Sequence, residues 1–418
     1  MTTDLCQISG DIRSNGGNIF VGKTAISGTN ITFHRSSPDE LYQCLQHLRQ
    51  TDPLTDIERI RSESHKGVPL TGSYEWILRN AAFEDWEASG SGILWIRGDP
   101  GKGKTMIMIA LIDQYSRKRF KRNLEDAAPI SPTTAHFICE SQDQYHNNAI
   151  SVLRGLLFMI LDRRPELLRY LQDAFKSAGP RLFEDGTVDL FQTLRRIFLE
   201  ILDDDRLGQI CFFLDALDEC ETGLDLLLDL ITSTAANPNV RWAVTSRKQE
   251  NILRSLNPKC LKIDLEDNSS YVQKAIELYI DEKIEALDYG PSTSSTVSTY
   301  LKEKSEGTFL WVHLVFKMLA EVPEWDVLIE LEQAPPGLDA FYERMFQQVS
   351  KRRDATLYYQ VLATADFRVR FWNPEKGLCV KTWDIKADSA AEQFANAIPD
   401  LITMEKTIKF RILRTEEI

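Results

Sequence analysis

Ile93 to Thr105 reads ILWIRGDPGKGKT, and the fold follows from how that stretch is read. Ile93 to Ile96 give a short buried strand, Gly98 to Thr105 fits GxxxxGK[ST], and Met106 to Ile112 continue as the apolar face of a helix. Strand, glycine-rich loop and helix in that order predict a phosphate-binding loop. Its glycines let backbone N–H groups turn inward on a phosphate with no Cβ in the way, and the helix behind adds its positive N-terminal end. The predicted nucleotide contacts are Gly98, Asp99, Pro100, Gly101, Lys102, Gly103, Lys104 and Thr105. Lys104 is expected to reach the outer phosphates and the Thr105 hydroxyl to hold Mg²⁺.

The same expression fits Gly17 to Thr24, GNIFVGKT, where the context is wrong. Ile19, Phe20 and Val21 prefer a strand to a phosphate cradle, no apolar strand precedes them, and Gly28 interrupts any helix behind. Only the second occurrence is assigned to a nucleotide.

Downstream of the phosphate loop the chain alternates in the α/β manner. Strands are expected at Ala135 to Cys139, Ile210 to Leu214, Arg241 to Val244 and Leu261 to Leu265. Between them lie helices near Ala149 to Leu161, Val188 to Asp203 and Leu224 to Ala235. The run ICFFL at Ile210 to Leu214 is continuously apolar, as a central parallel strand should be, and it ends in Asp215, Ala216, Leu217, Asp218 and Glu219. Acids at the end of a buried strand are costly without a cation or hydrogen bonds, and Mg²⁺ between nucleotide phosphates and carboxylates explains them. Asp215 is placed to orient Mg²⁺ and Glu219 to position the attacking water, while Asp218 could share either task. Taken alone, Asp218 and Glu219 read equally as acids at a helix N-terminus. Arg247, which closes the strand at Arg241 to Val244, is a candidate γ-phosphate contact or a surface arginine capping the strand.

From about Asn268 the strand signals stop, and helices follow near Ser270 to Ile284, Val297 to Lys304, Phe309 to Leu319 and Leu338 to Val349. The expected organisation is a Gly/Asn-rich leader at 1–35, a helical lead-in at 36–90, a P-loop NTPase core at 91–267, a helical lid at 268–350 and an irregular tail at 351–418. In the lead-in, Trp76, Ile77, Leu78, Phe83 and Trp86 recur at helical spacing and read as core packing, or as a cover for the nucleotide base.

The composition excludes several classes. A net charge of −13 and a pI near 5.1 argue against general binding to nucleic acid or an anionic membrane. The basic run RKRFKR at Arg117 to Arg122 is the solvated end of a helix, where cations suit the dipole. Seven cysteines with no CxxC spacing read as reduced thiols of a cytoplasmic protein, several of them in core positions, not as a zinc site or a disulfide frame. No signal peptide is expected, because Met1 to Ser9 lacks a basic start and an apolar run. The six histidines show no protease or metal-ligand spacing, and His136 and His313, on apolar elements, read as core residues.

SYEWILRNAAFEDW (Ser73 to Trp86), GDPGKGKT, FFLDALDE and TSR (Thr245 to Arg247), with GTFLWVHLVFKML and APPGLDAFYERM further on, together resemble NACHT-type STAND NTPases. The likeness is to the fungal set of NLR-like and vegetative (heterokaryon) incompatibility proteins. It implies a switch that binds ATP or GTP with Mg²⁺, hydrolyses it slowly, and self-associates in the triphosphate form. The family usually continues into a winged helix and a repeat array, of which only RVRFWNPEKGLCVKTW (Arg368 to Trp383), similar to part of a WD-repeat blade, is recognisable. That reads as a truncated member or an imperfect gene model, and a non-hydrolysing, nucleotide-locked scaffold is the alternative function. In some relatives a short N-terminal segment templates an amyloid-like fold in an effector. Gly10 to His34, with alternating apolar residues and Gly/Asn turns, is similar in texture.

Overall fold

A computed structural model describes residues 38–63, 72–122, 132–183, 188–287, 289–320, 322–338, 340–344, 368–373, 378–383 and 412–413. The chain divides after Gln43, and the N-terminal unit contributes only the first half of one helix to the described residues. The Gly17 to Thr24 repeat of the motif and the β-arc texture of Gly10 to His34 lie outside them, as does part of the helix expected at Leu338 to Val349.

Before the sheet come α1 (Pro38–Leu48), α2 (Pro53–Glu63), α3 (Glu75–Leu78) and α4 (Ala81–Ser89). The strand β1 (Gly92–Arg97) then leads through the phosphate loop to α5 (Lys104–Arg122). There follow β2 (Thr133–Ile138), α6 (Ala149–Arg163), α7 (Leu168–Ala178), α8 (Val188–Leu202), β3 (Ile210–Asp215), α9 (Leu224–Thr234), β4 (Val240–Ser246), α10 (Glu250–Leu256) and β5 (Cys260–Asp264). The five strands form one sheet in the order β2-β3-β4-β1-β5, and every neighbouring pair is parallel. Thus β4 is inserted between the strand that carries the phosphate loop and the strand that carries the acids.

Alternation along the strands builds the layers. Leu94, Ile96, Phe213 and Ala243 face one side with Ile109 and Ile112 of α5, where Tyr115 meets Phe213 edge-on at 5.2 Å. Phe212 and Trp242 stack at 4.3 Å on the other side, where Phe212 lies 5.3 Å from Phe198 of α8 and Trp242 Nε1 donates to Thr234 Oγ1 of α9. Helices therefore cover both faces of a parallel sheet, the three-layer α/β arrangement expected from the sequence.

After β5 the described chain is helical through α11 (Ser269–Glu285), α12 (Pro291–Lys304), α13 (Phe309–Leu319) and α14 (Glu324–Glu332). Trp311, Val315, Leu319 and Leu331 of this part belong to the same continuous core as Leu94 and Ile96. Further on, β6 (Arg368–Asn373) and β7 (Leu378–Trp383) pair antiparallel, with β8 (Ile412–Leu413) beside β6. In the lead-in Ile77, Phe83 and Trp86 are buried, whereas Trp76 is partly exposed and stacks on Tyr271 of α11 at 5.3 Å. His136 is buried as expected; His313 is only half-buried, because it lies on the rim of α13 beside the Tyr279 hydroxyl.

Candidate functional site

The strand ends meet at one edge. Arg97 pairs with both Ser246 and Asp264, and Ile138 with Asp215, so the residues following each strand gather at the same edge of the sheet. In open parallel sheets that carboxyl edge is where ligands bind.

The loop 98–103 leaves β1 and enters α5 through two left-handed glycines, Gly101 at φ +76° and Gly103 at φ +84°. A Cβ on Gly101 would fall 2.8 Å from Thr308 Cγ2 and 2.9 Å from Leu310 Cβ, so both conformation and space require glycine. The segment before α13 lies directly on this loop. The Phe309 N–H donates to the Gly101 carbonyl at 2.9 Å, and Lys102 Nζ donates to the carbonyls of Glu306 (3.2 Å) and Gly307 (2.9 Å). Lys104, the first residue of α5, turns its ammonium back onto the Gly98 and Asp99 carbonyls at 2.6 and 2.8 Å. Burial holds its pKa below the ordinary lysine value, with Asp218 opposing, Arg247 reinforcing and Asp215 opposing that shift. Loop and acids therefore share one electrostatic neighbourhood. Thr105 follows in the first turn of α5.

Asp215 ends β3 and is 1% exposed. Its Oδ1 accepts from the Thr245 hydroxyl at 2.5 Å, and that hydroxyl accepts from the Ala216 N–H at 2.9 Å. The chain then makes a 3₁₀ turn, Leu217–Glu219. Asp218 receives the Arg247 N–H at 3.0 Å and Nε at 3.1 Å, while Glu219 accepts from the Ser141 N–H at 3.3 Å. Across β1, Glu266 accepts the Asp99 N–H at 2.7 Å and pairs with Lys248 at 2.9 Å, and Lys248 also pairs with Asp264 at 2.9 Å. Lys248 thus ties the segment after β4 to the start of the phosphate loop.

Sequence reasoning named the loop, the three acids and Arg247, and all of them open on this edge. It named Thr245 only as part of a family motif, and it missed Ser141 and Glu266, whose contacts join segments 78 and 167 residues apart. No local spacing carries such a signal. Burial pushes the thiols of Cys211 and Cys220 up to about 12 and that of Cys139 well above the ordinary value, so these buried cysteines are not nucleophiles.

The donors present fit a magnesium nucleotide. A buried carboxylate, a hydroxyl at a helix start and a lysine on a glycine loop are hard oxygen and cationic partners for phosphate and Mg²⁺. Among the described residues no three His, Cys, Asp or Glu side chains are grouped to hold a metal by themselves. A cation here would lean on phosphate oxygens as well as on protein, as Mg²⁺ commonly does.

Fold and site chemistry together define the class, a P-loop NTPase core with the phosphate loop on a central strand. Residues 72–247 match the family described as Nephrocystin 3, N-terminal. The vegetative incompatibility protein HET-E-1 of Podospora anserina is 36% identical over 334 residues, covering 77% of this chain and 24% of that protein. The chain belongs to the fungal NACHT-type, vegetative-incompatibility family, and it spans about a quarter of the length of that relative. Two solved structures overlap more loosely: a Drosophila ORC bound to DNA (TM-score 0.39, 13% identity, 80% of this chain and 90% of that one) and the Aeropyrum pernix ORC1 protein in complex with DNA (0.37, 12%, 81% and 85%). Overlap that low says nothing about function. No described helix is long and apolar enough to cross a membrane.

Proposed function

We propose that the chain binds a purine nucleoside triphosphate with Mg²⁺ at the carboxyl edge of its sheet and hydrolyses it slowly. The outer phosphate then controls self-association in an incompatibility or NLR-like pathway. The observation that carries this reading is the meeting of loop 98–105, the Asp215–Glu219 turn and Arg247 at one edge of the sheet. Lys104 exchanges two backbone carbonyls for phosphate oxygens of full charge, a stronger partnership. Thr105 and Asp215 are the residues that would hold Mg²⁺, which when bound neutralises charge on the phosphates. Glu219, held by the Ser141 N–H, orients the attacking water. Asp218 holds Arg247 until a γ-phosphate competes for the guanidinium. The pathway rests on the incompatibility relative, and the purine on the family resemblance.

A second reading, a nucleotide-locked scaffold without turnover, draws support from the same contacts. Arg247 is engaged by Asp218, and the loop is clamped by Phe309 and Lys102. Steady-state phosphate release separates the two. The switch itself is tested by the mass of the chain in solution with a diphosphate and with a non-hydrolysable triphosphate. Association with the triphosphate alone is expected, and the same mass in both would contradict the proposal.

A further inference from the structure

His146 lies in the loop between β2 and α6 with a carboxylate on each ring nitrogen. Nδ1 is 2.7 Å from Asp143 Oδ2, and Nε2 is 3.1 Å from Asp56 Oδ2. Ionised carboxylates only accept, so both nitrogens must donate, and only the imidazolium carries two N–H groups. His146 and Asp56 are each 6% exposed and the ring lies 5.5 Å from Phe137, while the Asp143 side chain, at the edge of the arrangement, is 40% exposed. Asp56 belongs to α2. Arg59, one turn later on α2, pairs with Glu140 at the other end of the loop and lies 3.6 Å from Asp56. From β2, His136 Nε2 donates to the Pro53 carbonyl at the start of α2. The charged and titratable groups around His146 are therefore Asp56 and Arg59 from α2, Asp143 and Glu140 from its own loop, and His136 from β2.

The loop leads directly to the acid motif. The His146 N–H donates to the Asp143 carbonyl at 2.8 Å and the Glu140 N–H to the His146 carbonyl at 3.3 Å, which closes the loop on itself. Ser141, inside that closure, donates to Glu219, and the Asn147 carbonyl accepts from the Glu221 N–H at 2.7 Å.

We propose that His146 is a positioning residue for Glu219: its imidazolium pins α2 to the 139–148 loop, and the loop holds Glu219 through Ser141. Loss of the proton leaves one ring nitrogen unable to donate to its carboxylate, so the ring no longer holds Asp56 and Asp143 together, which loosens α2 and slackens Glu219. Burial pulls the His146 pKa down, but its hydrogen bonds to Asp56 and Asp143 outweigh that and raise it above the ordinary histidine value. The release therefore falls on the alkaline side. The effect on Glu219 rests on the hydrolysis reading above; the clamp on α2 does not.

The test measures kcat, KM and hydrogen exchange of residues 53–63, corrected for intrinsic rates, from about pH 6 to 9. In the parent, kcat should fall about tenfold through the alkaline limb with KM unchanged, and protection of α2 should fall in parallel. In Asp56→Asn the new amide donates to a neutral Nε2, so both profiles should be flat; this variant carries the test even where His146→Ala fails to fold. An alkaline limb that persists in Asp56→Asn, or α2 protection in the parent that ignores pH, overturns the proposal. A parent with no turnover at any pH defeats the hydrolysis reading alone, and the exchange profiles still decide the clamp.

Discussion

At Ala216 the chain leaves β3 in the left-handed region, φ 54° and ψ 49°, where a residue with a Cβ is held at a cost of about 1 kcal/mol. Thr245 offsets that cost by accepting the Ala216 N–H while donating to Asp215, so one hydroxyl fixes both the kink and the carboxylate. The kink turns Asp218 toward Arg247 and Glu219 toward Ser141. Glu219→Gln keeps the shape and the Ser141 bond but removes the charge that orients water. It should leave nucleotide affinity intact and slow phosphate release about 100-fold; release at the parent rate would remove Glu219 from that role. The acids were legible because carboxylates after an apolar run need a reason. Thr245 was not, since a threonine at a strand end is ordinary until its partner is seen. His136 gives a separate check. Burial takes its pKa down to about 4, so the unfolded chain binds a proton that the folded one does not between that value and 6.5. Its contribution is full above 6.5 and is lost as pH falls toward 4, by about 3 kcal/mol. Denaturant unfolding of parent and His136→Gln should show this as a difference that shrinks with falling pH, and a constant difference would contradict it.

Among the elements, the buried strands were the most legible, because a parallel strand covered on both faces reads as a nearly continuous apolar run. The helices α7, α10 and α14 were not foreseen. The seven residues of α10 are too few to establish a period, and α14 leaves Trp325 80% and Ile329 60% exposed, which blurs the apolar stripe that marks a helix. The contact of α13 with the phosphate loop was equally hidden, since Gly101 and Phe309 are joined only by the fold. It has a measurable consequence. Alanine at Gly101 would adopt φ +76° against Thr308 and Leu310, at a cost of about 1–3 kcal/mol. Gly101→Ala should therefore free the segment 305–312, seen as faster hydrogen exchange there than in the parent. Unchanged exchange would mean that the contact does not hold that segment.

Across the whole molecule, the sheet and the helices after it share one core, and Trp311 and Leu331 of the helical part are buried with Leu94 of β1. A change at the phosphate loop can thus reach α13 through direct contacts, as a switch requires. For such a switch to pass from mostly off to mostly on, its two forms must differ in nucleotide affinity by about 10⁴. The proposed switch depends on a nucleotide being bound where Lys104 lies. The most direct measurement is mass-spectrometric identification of what the purified protein releases on denaturation, for the parent and for Lys104→Ala. About one purine nucleoside di- or triphosphate per chain is expected from the parent and almost none from a folded Lys104→Ala, because that side chain serves phosphates and not the core. A parent that binds and releases no nucleotide, or a variant that retains as much as the parent, would contradict the account.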